Sequence, residues 1–211
     1  MKKVFLYLYP IKEYTEMFLF RDDKLYDEWN IKRPLPILND CIQKRYRDNS
    51  FEVVFALYPD KDIFGINIKP EDRIIYTDVS FSEASAVDEN KNIKKNFTPK
   101  YPNEQLSLSQ LGNIDKLVVG GYHAQDCVKR IGEAALDMGI DTIIDLDMTD
   151  FFFNLYKQED YFKIEEYDPK RYKNYAFSQA QRYGENFAER LFNETYSSLA
   201  YGFNEENKKL K

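Results

Sequence analysis

Lys116-Leu117-Val118-Val119-Gly120-Gly121-Tyr122-His123-Ala124-Gln125-Asp126-Cys127-Val128 changes its pattern midway, and that change organises the chain. The first part is a continuous apolar, β-branched run ending in glycine, as in a strand buried on both faces. From Asp126 the period becomes helical: Val128, Ile131, Ala134, Ala135 and Met138 fall on one stripe, and Gly139 closes the helix. Gly121 to Val128 is therefore a strand-to-helix turn, with Cys127 in the first turn of the helix. Thr142-Ile143-Ile144-Asp145-Leu146 follows as the next strand. Strand, turn, helix and strand in this order make a parallel βαβ unit.

The same alternation extends upstream. Val4 to Tyr9 is an apolar run stopped by Pro10. Pro34 and Pro36 precede Ile37, Leu38, Cys41, Ile42 and Tyr46, a helical spacing that starts where proline's missing N–H costs nothing and ends at Asn49-Ser50. Phe51 to Leu57 and Arg73 to Thr77 are two further strands, and Leu106 to Leu111 is a short helix. Residues 11–33 show no clear period and read as loop, as does the polar stretch 82–104. After Asp147 the chain turns aromatic and mostly helical, ending in a helix from Phe177 to Leu199. The expected architecture is one α/β domain over 1–211: an open, mostly parallel sheet with helices on both faces, and a helical C-terminal extension, 151–211, packed on it. Ligands of such sheets sit at the carboxyl ends of strands. That gathers 9–16, 58–62, 77–81, 120–127 and 147–151 around one crevice.

Composition narrows the function classes. The chain has 211 residues, a net charge of −6 and only short basic clusters, which argues against a nucleic-acid partner. No apolar run approaches the roughly 18 residues of a membrane span, so a soluble protein of a reducing cytoplasm is expected. Two cysteines make no disulfide framework, and a single histidine without HxxxH or HExxH spacing argues against a metal centre. No cofactor is expected: GxGxxG and P-loop motifs are both absent.

The chemistry concentrates at the turn. Unpaired amides and the helix dipole favour negative charge at Cys127, which predicts a lowered thiol pKa and a usable nucleophile. The same amides could hold an oxyanion. The structural alternative is a small buried hydrophobe beside Val128. Cys41, on the apolar face of its helix, reads as core.

The run from Lys116 to Asp147 resembles the isochorismatase-like cysteine hydrolases, which include nicotinamidases and N-carbamoylsarcosine amidases. Their motif is a glycine-ended strand followed by G-V-x-T-x-x-C-V, a helix with a small-residue face, a glycine, and a strand ending in acidic residues. Gly121, Cys127 and Val128 match it, as do Ala134 to Gly139 and Ile143 to Asp147. Tyr122 replaces the valine and Ala124 the threonine. The resemblance implies a Rossmann-like three-layer fold, a cysteine nucleophile at Cys127 and a non-proline cis peptide in the turn. It also implies an aspartate base ending the first strand and a lysine ending the third.

Here the chain departs from the family. Tyr9 occupies the aspartate position, with Glu13 and Glu16 as nearby carboxylates. The lysine position falls on Thr77 in one register and on Lys95, beside Lys94, in another. His123 could pair with the thiol or pack against tyrosines. Gly121, Tyr122, Ala124 and Asp126 would form the binding turn, Asp126 mainly stabilising the helix start. Asp145 and Asp147 read as strand-end structure, and Asp60 and Asp62 as a weak hint of an acidic group near substrate. Two functions follow: a non-catalytic small-ligand-binding or scaffolding protein, or a cysteine hydrolase cleaving a small amide through a covalent thiol intermediate. A small molecule is the expected ligand. The aromatic C-terminal segment, 151–201, suggests a homo-oligomer.

Overall fold

The computed structural model describes residues 1–19, 34–86, 88 and 94–149. The expected C-terminal extension, its helix and its interface lie outside the described residues. The core is a five-stranded sheet of β1 (Lys3–Leu8), β2 (Glu52–Leu57), β3 (Arg73–Tyr76), β4 (Lys116–Gly121) and β5 (Asp141–Thr149). Its order is β3-β2-β1-β4-β5, and every pair is parallel. This is the α/β architecture expected from alternating strands and helices.

The apolar run of β1 takes the centre because both of its faces need cover. Val4 to Leu8 are buried throughout, and Leu6 lies between Val54 and Val119. The chain builds outward from β1 to β2 and β3, then returns to build β4 and β5 on the other side. Right-handed crossovers then place the helices of the two halves on opposite faces. The reversal leaves a gap above the carboxyl ends of β1 and β4, where open α/β sheets bind ligands.

One helix differs from the sequence expectation, and a second keeps its expected extent but not a uniform α geometry. Residues 11–33 contain a helix, α1 (Lys12–Leu19), where loop was expected. Ile11, Tyr14 and Thr15 are buried at i, i+3 and i+4, a helical period that the interleaved charges concealed. The proline-led helix α2 (Pro34–Cys41) continues as a π turn, Ile42–Tyr46, and a 3-10 turn, Arg47–Asn49. From that π turn Arg45 Nη1 donates to both oxygens of Asp145 in β5, each at 2.8 Å, with neither side chain exposed. The Tyr46 hydroxyl bonds the same carboxylate, and its ring stacks on Phe5 at 3.5 Å. Asp145 is thus a tie between helix and sheet.

The polar stretch 82–104 also contains more structure than expected. A short helix, α3 (Phe81–Ala84), starts in a Ser80–Glu83 capping box. The helices α4 (Glu104–Ser109) and α5 (Lys129–Asp137) complete the described elements. Among the described residues, no helix is long and apolar enough to cross a membrane.

Candidate functional site

At the gap between β1 and β4, Leu8 pairs with Gly121. Gly121 has φ +98, and a Cβ there would collide with the Leu8 carbonyl oxygen, so only glycine permits this approach. The Tyr122 amide then donates to that oxygen at 3.0 Å. The Tyr122–His123 peptide is cis, in the turn where the resemblance implied one. The following residues, Ala124–Val128, form a π turn ahead of α5, so the helix begins slightly earlier than its apolar stripe indicated. Within it the Asp126 and Val128 amides both donate to the His123 carbonyl, at 3.0 and 3.2 Å. Those two amides are committed to the turn.

Tyr9 leaves β1 at the same level. Its φ is +53, in the left-handed region that a bulky residue seldom occupies. The Tyr9 amide donates to the Ala56 carbonyl at 2.9 Å, and its ring stacks on Tyr58 at 4.5 Å. The Tyr9 hydroxyl is hydrogen-bonded to the Cys127 sulfur. The position that the resemblance assigns to a base therefore holds a phenol against the thiol.

The electrostatics correct the expectation of a lowered thiol pKa. Burial pushes the Cys127 thiol well above its ordinary value, and the nearby Asp126 charge pushes it the same way. Glu104 adds to the rise, while Arg130 and the Tyr9 hydrogen bond oppose it. Desolvation and the neighbouring carboxylates set that direction. Tyr9 is itself raised well above a normal phenol, first by burial and then by Cys127, Tyr14 and Asp126. Both groups keep their protons at neutral pH.

A crevice opens beside the sulfur, walled by Tyr14, Tyr58, Tyr122 and His123, with Tyr101 and Asp126 also lining it. The Tyr14 and Tyr58 hydroxyls meet at 3.4 Å. His123 is buried, its ring meeting that of Tyr14 at 4.4 Å and 61°. Tyr101 carries the Arg130 guanidinium over its ring at 4.3 Å, and Arg130 Nε donates to Glu104 at 2.6 Å. Burial, followed by the charges of Asp126 and Cys127, pushes Tyr101 up to about 12.

The remaining candidates fall elsewhere. Glu13 is held by Lys61 at 2.6 Å, and Lys61 lies over the Phe81 ring. Thr77 follows β3 directly and donates its hydroxyl to the Val79 carbonyl at 2.9 Å. Lys95 is exposed in a turn. Asp60 accepts from the Phe81 amide at 2.8 Å, a structural tether for α3. The side chains of Glu16, Ala124 and Asp147 lie outside the described residues. Among the described residues, no three His, Cys, Asp or Glu side chains gather to hold a metal ion. Lys100 also lines the crevice. Neither it nor Tyr101 stands out in the sequence. Both lie in an aperiodic polar stretch whose path depends on contacts distant along the chain.

No family model and no curated protein matches the chain. Solved structures do resemble it. N-carbamoylsarcosine amidase from Thermoplasma acidophilum is 16% identical, with 74% of this chain and 93% of that chain covered and a TM-score of 0.42. An isochorismatase-like hydrolase from Alkaliphilus metalliredigens is 13% identical over 85% and 99% of the two chains, with a TM-score of 0.43. An isochorismatase family protein from Desulfovibrio vulgaris is 12% identical over 71% and 82%, with a TM-score of 0.44.

Proposed function

We propose that this chain is a non-catalytic binding protein that holds a small molecule in the crevice beside Cys127. One observation carries the reading: the Tyr9 hydroxyl bonds the Cys127 sulfur from the position where a cysteine hydrolase of this pattern needs a base. Amide hydrolysis through a thiol requires a group that takes the thiol proton and passes it to the leaving amine. A phenol whose own pKa is raised donates a hydrogen bond and takes no proton near neutrality. His123 is packed on Tyr14, and Glu13 is held by Lys61. Cys127, Gly121, Tyr122 and Asp126 then shape the crevice without performing chemistry.

Alkylation tests this directly. With iodoacetamide at about pH 7, Cys127 should react no faster than an ordinary free thiol, and its rate should climb as pH rises above about 8.5. Fast, pH-independent labelling at neutrality would sink the proposal. So would a covalent acyl adduct on Cys127, detected by intact mass after incubation with small amides.

A further inference from the structure

We propose that the Tyr101 side chain is the gate of the crevice: a small-molecule ligand reaches Cys127 when this ring swings off Arg130. This rests on the reading of the site as a ligand-binding crevice and names what controls entry to it. As it stands, the crevice leaves room for about one water molecule. Part of its wall must therefore move before an organic molecule can enter. The inner wall is not that part. Tyr14, Tyr58, Tyr122 and His123 are each no more than 3% exposed. They pack on one another, Tyr14 on Tyr58 at 6.4 Å and on His123 at 4.4 Å. Displacing any of them would open the core.

The outer wall is built differently. Lys100, Tyr101 and Pro102 line the crevice as one short stretch. Its backbone is pinned at both ends: the Lys100 amide donates to the Glu83 carbonyl and the Asn103 amide to the Asp78 carboxylate, each at 2.9 Å. Pro102 between them is buried, and Lys100 is exposed with its ammonium 3.3 Å from Glu83. The backbone thus stays in place, and the half-buried Tyr101 ring is the part that can leave. It carries the Arg130 guanidinium 4.3 Å from its centroid, and the Arg130 side chain is 43% exposed. A cation–π contact of an exposed arginine is weak, so rotation about two side-chain bonds breaks little. Arg130 Nε donates to Glu104 at 2.6 Å, which holds the guanidinium over the ring and gives the gate a defined closed position.

Two neutral thiosulfonates of different bulk test the gate on the full chain: methyl methanethiosulfonate and benzyl methanethiosulfonate, with Cys127 and Cys41 resolved by peptide mapping. Both react with the same thiolate, so the ratio of their rates at Cys127 does not depend on the thiol pKa and reports access alone. The methyl reagent should outrun the benzyl one by about tenfold or more beyond the ratio measured in the urea-unfolded chain. Arg130→Gln should lower that excess by about two- to fivefold. Tyr101→Ala should lower it at least as much, while Tyr101→Phe, which keeps a ring under the guanidinium, should leave it in place. Circular dichroism checks that each variant is folded, and Arg130→Gln, at an exposed position, carries the test should Tyr101→Ala fail to fold. No excess in the unsubstituted chain, an excess unchanged in either folded variant, an excess lost in Tyr101→Phe, or a Cys127 that neither reagent reaches in the variants overturns the gate. The pH dependence of the absolute rate separates the two proposals: fast labelling at neutrality removes the non-catalytic reading whatever the ratio, whereas a ratio insensitive to Tyr101 removes the gate alone.

Discussion

Tyr9 joins backbone geometry, packing and electrostatics in one side chain. Tyr9→Phe keeps the ring on Tyr58 and removes only the hydroxyl bonded to the sulfur. It should cost about 1 kcal/mol in denaturant unfolding. Because that hydrogen bond lowers the thiol pKa, its loss should raise Cys127 further and slow alkylation at alkaline pH; faster labelling would contradict the assignment of donor and acceptor. Gly121 is the second decisive residue. Its positive φ and the Leu8 backbone packed against its Cα leave no room for a methyl group. Gly121→Ala should destabilise by more than about 2 kcal/mol, measured by urea unfolding, because β1 and β4 must part to admit it. The glycine and the cysteine were both legible in the sequence, since each belongs to a local motif. The meeting of Tyr9 with Cys127, more than a hundred positions apart, was readable only through the resemblance, which put Tyr9 at the base position, and not from any local pattern.

At the scale of elements, the buried Arg45–Asp145 pair ties the π turn after α2 to β5. Arg45→Met alone leaves a carboxylate buried without its cation and should cost about 3–5 kcal/mol. The double variant Arg45→Met, Asp145→Leu should recover most of that loss, since burying two charges was itself costly; equal instability of single and double variants in urea unfolding would contradict this. Strand positions were readable because burial on both faces demands an uninterrupted apolar run. The helix α1 was not, since Ile11, Tyr14 and Thr15 carry its buried face among charged neighbours. Of α3 the sequence carries only the Ser80–Glu83 capping box, a start signal with too short an apolar stripe behind it to mark a helix.

For the whole molecule, the raised groups set an alkaline limit. The folded protein holds protons on Cys127 and Tyr9 that the unfolded chain releases at ordinary thiol and phenol values. Their contribution to stability is therefore complete below about pH 8.5 and declines as pH rises toward the folded pKa values. Thermal unfolding should show that decline, and Cys127→Ser should make it shallower between about pH 8.5 and 10. An unchanged slope would show that the thiol is not the group responsible.

The sequence by itself determined the α/β alternation, the strand-to-helix turn and the place of Cys127 within it, because these depend on periodicity and turn chemistry among near neighbours. Only the tertiary structure decided what state the thiol is in. Its protonation depends on burial, on Tyr9 arriving from β1, and on Asp126, Glu104 and Arg130 converging at one point. The aromatic walls come from segments far apart in the chain, brought together where the sheet order reverses, and no local pattern encodes that meeting.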